Sequence, residues 1–348
     1  MKMTTTDTFT RREILSQPEA WAAALELLRE QRAGLQFLNP DHYAQVLFTG
    51  CGSTYYLALS AAALTQALNH QVCRAFPASE LWLSPKTCYA AGRTLLIAVS
   101  RSGETTETLR ACQAFIAEGR GDLITLCCYP DLPLAGMGTF NLVLPSGQEQ
   151  SVAQTRAFSS LYLGTVAMAC LWAHRDDLFD SLSRLPEAGR RILEEYASLA
   201  AELGVDGGLD RFYFLGSGPR LGLACELSLK MKEMSLSHSE PFHFLEFRHG
   251  PKSMVTSRAL VVGLRSSANA GPESAVLEDV ARLGGRILAM GEESANGGRA
   301  VAFRSGLDEA VRDVLYLPVG QLIALERSLS KGLNPDRPTN LDTVVILS

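Results

Sequence analysis

The chain has 348 residues, enough for two domains of ordinary size, and its 47% hydrophobic and 20% charged composition excludes a disordered or fibrous protein. The net charge of −5 comes from 32 basic and 37 acidic residues, and no basic block exceeds Arg11-Arg12, which argues against a nucleic-acid partner. No apolar run is long enough to span a membrane, and the segment Met1–Thr8 lacks the apolar core of a signal peptide.

The first ordered region opens at Arg12-Glu13-Ile14-Leu15, and Trp21, Leu25 and Leu28 then recur at helical spacing. Val46-Leu47-Phe48-Thr49 reads as a strand, and Gly50-Cys51-Gly52-Ser53-Thr54-Tyr55 as a glycine-rich turn into an Ala- and Leu-rich helix. Gln71 to Phe76 is the next strand candidate. Thr94-Leu95-Leu96-Ile97-Ala98-Val99 is a buried strand that runs into Ser100-Arg101-Ser102-Gly103-Glu104-Thr105-Thr106. The helix that follows carries Leu109, Cys112 and Ile116 on one face. A strand-to-helix turn gathers free backbone N–H groups and the positive end of a helix dipole. Here it also gathers four hydroxyls, where an ordinary helix cap needs one. The turn lacks a P-loop lysine and the spacing of a dinucleotide fingerprint, so its expected guest is a small phosphorylated metabolite.

Leu123–Cys128 and Leu142–Leu144 are two more strand candidates. The polar segment Gln148–Arg156 leads into a long apolar helix, Ala157 to Ala173. Helical sequence from Asp176 to Leu203 ends at Gly204-Val205-Asp206-Gly207-Gly208, the most linker-like spot. The plan then repeats. Arg211–Leu215 is a strand, Gly216-Ser217-Gly218-Pro219 a glycine-rich turn, and Leu221–Met234 a helix. Strands are also expected at Leu260–Leu264, Ile287–Met290 and Val314–Leu317. The second serine turn, Arg265-Ser266-Ser267, lacks the Gly-Glu-Thr continuation and is expected to bind no phosphate. Alternation of strands and helices predicts an α/β fold, each half a parallel sheet flanked by helices.

The richest polar stretch runs from Glu226 to Lys252. Glu226, Lys230 and Glu233 are neighbours at helical spacing, and His249 sits in a loop before Gly250-Pro251. Taken alone, Glu233 reads as a solvated helix carboxylate, and Lys230 and Lys232 as ion-pair or surface residues. A buried carboxylate and a loop histidine would equally serve as an acid/base pair. Phe242, Phe244 and Phe247 suit either an interface or their own domain's core. The eight cysteines show no C-x-x-C pair and the six histidines no ligand spacing. Reduced thiols, a cytoplasmic location and no metal are therefore expected.

Taken together, Cys51-Gly52-Ser53-Thr54-Tyr55, Ser100-Arg101-Ser102-Gly103-Glu104-Thr105, Leu229-Lys230-Met231-Lys232-Glu233, Glu246-Phe247-Arg248-His249-Gly250-Pro251 and Asp336-Arg337-Pro338-Thr339-Asn340-Leu341 resemble the tandem sugar-isomerase (SIS) domains of phosphosugar enzymes. The resemblance runs from Glu13-Ile14 to the C-terminus and is nearest the isomerase half of glucosamine-6-phosphate synthase, without a glutaminase domain. It implies two flavodoxin-like three-layer sandwiches: an N-terminal helical segment (1–38), a first SIS domain with the phosphate site (39–180), a helical connection (181–207) and a second SIS domain with its tail (208–348).

By the same resemblance, phosphate falls to Ser100, Arg101, Ser102 and Thr105 with Ser53 and Thr54 nearby, and the sugar pocket to Val152 and Gln154. The proton-shuttling base falls on Glu233, and the ring-opening group on His249, which in relatives reaches into the partner subunit's site. A homodimer with shared sites and no organic cofactor is therefore expected. The synthase has a lysine after the Asn-Leu of its tail, and here Thr343 takes that place. Proteins without that lysine resemble aminosugar-6-phosphate deaminases. The expected reaction converts glucosamine or galactosamine 6-phosphate to a ketose 6-phosphate and ammonia. The alternatives are a deglycase of fructosamine-type phosphates and a sugar-phosphate-binding regulator without turnover.

Overall fold

The computed structural model describes residues 7–294 and 298–347; residues 1–6, part of the segment read as lacking a signal peptide, lie outside it. The chain divides into two compact units. One, the N-sheet unit, holds Glu19–Glu149, Arg156–Ser183 and the tail from Asp342. The other, the C-sheet unit, holds the chain up to Pro18, Gln150–Thr155 and Arg184–Leu341.

In the N-sheet unit, five strands form one parallel sheet in the order β2-β1-β3-β4-β5. They are β1 (Gln45–Gly50), β2 (Cys73–Pro77), β3 (Thr94–Val99), β4 (Gly121–Cys127) and β5 (Phe140–Val143). Both central strands β1 and β3 are buried along their whole length, which is why they read as continuous apolar runs. Helices Ser53–Asn69, Thr106–Ala117 and Arg156–Trp172 flank the sheet. The second of these turns a different face to the core than its apolar spacing suggested. Thr108, Ala111, Cys112 and Phe115 are buried, whereas Ile116 is 51% exposed.

The C-sheet unit repeats the topology. Its strands are β6 (Arg211–Gly216), β7 (His238–Phe242), β8 (Ala259–Leu264), β9 (Arg286–Gly291) and β10 (Arg299–Ala302). Their order, β7-β6-β8-β9-β10, is that of the first sheet strand for strand, and all pairings are parallel. Gly50 and Gly216 end the equivalent strands β1 and β6. A Cβ at Gly50 would stand 2.7 Å from the Thr54 carbonyl carbon, and one at Gly216 would stand 2.3 Å from the Arg220 oxygen. Only glycine lets the next helix start that close.

Three expectations change here. Val314–Leu317 is not a strand: residues 313–316 form a 3₁₀ turn that runs into the buried helix Leu317–Ser330. Gly204 is not a linker residue but lies in helix Leu185–Val205, where its missing Cβ admits Glu326 and the Ile323 carbonyl of the packed helix. Phe244 and Phe247 are fully buried against Tyr213, Val261, Val276 and Val280, with Phe242 packed on the same cluster. These rings form their own unit's core and carry no argument for an interface.

Candidate functional site

In the N-sheet unit, β3 delivers Ser100–Thr105 to the start of helix Thr106–Ala117. Positive φ at Gly103 (82°) bends the turn, and Ser100 Oγ accepts the Gly103 N–H at 3.1 Å. Ser100 Oγ and Thr105 Oγ1 lie 3.2 Å apart, and Ser102 Oγ accepts the Glu104 N–H at 3.3 Å. Thr105 occupies the N-cap position, yet its hydroxyl makes no capping bond. The turn is therefore not an ordinary cap. The positive end of the helix dipole faces a ring of small hydroxyls.

Arg101 sits inside this turn and is buried. Its Nη1 lies 3.6 Å from Glu149 Oε2, and its Nη2 donates to the Thr343 carbonyl at 3.0 Å. The tail makes two more contacts with the helix start. Thr106 N–H donates to the Val345 carbonyl at 3.3 Å, and Leu347 N–H donates to Thr106 Oγ1 at 3.1 Å. So the tail segment carrying Thr343 lies on the hydroxyl turn, through its backbone rather than through a lysine side chain.

The first glycine-rich turn lies at the end of the neighbouring strand β1. Gly52 has φ +55°, and Ser53 begins the helix. Thr54 Oγ1 accepts the Cys51 N–H at 2.9 Å and donates to the Cys51 carbonyl at 3.0 Å. Its hydroxyl thus closes the turn itself.

Val152 and Gln154 belong to the C-sheet unit, on a segment fixed by two carboxylates. Glu13, buried in helix Phe9–Leu15, accepts from the N–H groups of Gln150 (2.5 Å) and Ser151 (3.3 Å) and from the Ser151 hydroxyl. Asp336 accepts from the N–H groups of Phe9 (3.0 Å) and Thr10 (2.8 Å), while its own carbonyl accepts the Val152 N–H at 3.0 Å. A carboxylate at a helix N-terminus is favourably placed against the dipole. The Gln154 Oε1 is buried and has no hydrogen-bond partner among the described residues.

Glu233 and His249 also lie in the C-sheet unit. Glu233 is near the end of helix Arg220–Ser235, half-buried rather than solvated, and accepts a hydrogen bond from Lys230 Nζ. Lys230 is fully buried, with Glu226 Oε1 at 3.3 Å on its other side. Burial works to lower the Lys230 pKa, but Glu226 and Glu233 outweigh it and raise it, so the side chain stays charged. The reading of Lys230 as an ion-pair residue holds, in a buried form. His249 is exposed, follows the turn Glu246–Arg248, and precedes Gly250 at φ +132°.

Glu149 was missed by sequence reasoning. It stood in the polar run before Arg156, without any signal that it would be the buried counter-charge of Arg101. The described residues contain no group of three or more His, Cys, Asp or Glu positioned to hold a metal ion. No helix among them is long and apolar enough to cross a membrane.

Residues 42–171 match the SIS domain. The chain is 28% identical over 349 residues to the glutamine–fructose-6-phosphate aminotransferase [isomerizing] of Methanothermobacter thermautotrophicus, covering 96% of this chain and 57% of that protein. It thus spans little more than half the length of the curated relatives it matches. Among solved structures, glucosamine-6-phosphate deaminase from Thermotoga maritima aligns with a TM-score of 0.81 and 26% identity, covering 98% of this chain and all of that one. Tagatose-6-phosphate ketose/aldose isomerase from Escherichia coli shares the fold, with a TM-score of 0.85 at 24% identity over 97% of this chain and 96% of that one. Residues 42–171 are therefore an SIS domain, and the chain is homologous to the isomerase half of the glutamine–fructose-6-phosphate aminotransferases.

Proposed function

We propose that this chain is a phosphosugar isomerase that deaminates an aminosugar 6-phosphate, with glucosamine or galactosamine 6-phosphate as substrate. The observation that carries the reading is the turn Ser100–Thr105, a helix start whose N-cap hydroxyl makes no capping bond and whose neighbours are hydroxyls and glycine. A phosphate monoester is the ligand such a turn fits. Ser100, Ser102, Thr105 and their backbone hold it, with Ser53 beside them. Arg101 shapes the turn through Glu149 and Thr343 and adds positive charge.

Glu233 is the base in this reading. Removing the C2 proton from the open-chain aldehyde gives an enolamine, and returning it to C1 leaves an imine at C2. Water then hydrolyses the imine, and a ketose 6-phosphate and ammonia depart. Lys230 orients the Glu233 carboxylate by donating a hydrogen bond to it. His249 opens the sugar ring, and Val152 and Gln154 line the sugar. The similarity to glucosamine-6-phosphate deaminase supports deamination, as does Thr343 in place of the synthase's lysine. The active form is a homodimer in which His249 serves the neighbouring site, in a reducing, cytoplasmic setting suited to eight free cysteines.

A panel of glucosamine, galactosamine and fructosamine-type 6-phosphates, assayed for ammonia and for ketose phosphate, tests the proposal. Ammonia from the first two supports it. Release of an amino acid from the third class alone replaces it with a deglycase.

A further inference from the structure

The serine turn of the C-sheet unit occupies the place that Ser100–Thr105 holds in the other sheet. It follows β8, the strand equivalent to β3, and opens helix Ala270–Arg282. Its first residue, Arg265, donates its N–H to the Met290 carbonyl of β9 at 2.8 Å, just as Ser100 donates to Leu126 of β4 at 3.0 Å. One residue later the hydroxyl turn recurs, with Ser266 Oγ accepting the Asn269 N–H at 2.8 Å.

The next three N–H groups of this turn are already taken by carboxylates of the same unit. Ser266 donates to Glu273 Oε2 at 2.6 Å, and Ser267 and Ala268 both donate to Glu309 Oε2 at 3.2 Å. The other Glu309 oxygen lies 2.7 Å from Arg220 Nη1. Arg312 Nη2 donates to Ser267 Oγ at 2.6 Å and lies 3.9 Å from Glu309. Both arginines are buried, and the Arg220 Nε has no hydrogen-bond partner among the described residues. Two converging turn N–H groups and two buried guanidiniums make a phosphate cradle. Here a carboxylate lies in it.

We propose that the turn Arg265–Ala268 is a second oxyanion site, held shut by Glu309 acting as its internal ligand, and that its ligand class is inorganic phosphate or a phosphate monoester. A 190 Å³ cavity lined by Arg265, Ser266, Ser267, Glu292 and Glu293 adjoins the turn. Its two acidic walls repel an anion, so phosphate enters only by replacing Glu309. The wild-type chain therefore keeps this copy closed. The inference rests on the turn's own contacts and stands whether or not the proposed reaction does.

The test is thermal unfolding with and without inorganic phosphate, at matched ionic strength in chloride. It is run in a Ser102→Ala/Thr105→Ala background, so that phosphate at the first turn does not contribute. Adding Glu309→Ala should make phosphate raise the melting temperature by about 5 °C or more at a hundredfold excess over its dissociation constant. The background alone should show almost no shift, and a further Arg220→Met should abolish the gain. Glu309→Gln keeps the side-chain volume while removing the charge, and should show a smaller gain of the same sign. If phosphate shifts the background and both Glu309 variants equally, the proposal is overturned.

Discussion

Lys230 is wholly buried in helix Arg220–Ser235, and its ammonium donates to the carboxylate of Glu233 one turn further on. Glu226, also buried, holds the same ammonium from the preceding turn. A buried cation with two carboxylates is stable only while all three stay together. Lys230→Met should therefore destabilise the fold by about 3–5 kcal/mol, by stranding Glu226 without its counter-charge. Urea midpoints measure this. An unchanged midpoint would show that the triad contributes nothing.

At the proposed phosphate turn, Ser102→Ala/Thr105→Ala removes two hydroxyls without touching β3 or the helix. Each hydrogen bond lost to a charged group should cost about 1.5–3 kcal/mol, and the loss should fall on KM more than on kcat. Steady-state kinetics separates the two. Unchanged affinity for sugar phosphates would move the anchor elsewhere.

Asp313 gives a pH dependence with a definite sign. Burial pushes its carboxyl up to about 6, even against Arg220. Between pH 4 and 6 the folded state therefore holds a proton that the unfolded chain has released, and stability falls as pH rises through this window. The loss is up to about 3 kcal/mol for a shift of roughly two units. Asp313→Asn does not titrate, so its midpoint should lack this slope. Parallel pH profiles for the two proteins would contradict the assignment.

The proposed sharing of the site between two subunits is testable by complementation. Glu233→Gln and His249→Ala should each be inactive alone. Exchanged at random into heterodimers, they should recover about a quarter of wild-type activity, because each mixed pair regains one intact site. Proven heterodimers with no recovery would confine His249 to its own subunit.

The parts legible in the sequence were those whose signal is local. β1, β3 and β8 are buried along their whole length and β6 at every residue but Arg211, so their apolar runs read as strands. The hydroxyl turn announced itself by four hydroxyl residues within seven positions, Ser100 to Thr106. β7 did not, because an edge strand spelled His238-Ser239-Glu240-Pro241-Phe242 carries polar residues and a proline, the composition of a loop. Val314–Leu317 misled for the opposite reason: an apolar run of four fits a strand as well as the buried entry to a helix. Contacts between distant residues had no sequence signal. Arg101 meets Thr343 across 242 positions, and Glu309 reaches Ser267 across 42.

The most direct test of the central claim is product formation by wild type and by Glu233→Gln from glucosamine 6-phosphate. The wild type should release one ammonia per ketose 6-phosphate formed. Glu233→Gln should still bind the substrate while turnover falls by roughly 10²–10⁴-fold. Tight binding by the wild type with no product from any aminosugar 6-phosphate, or near-normal turnover by Glu233→Gln, would contradict the account.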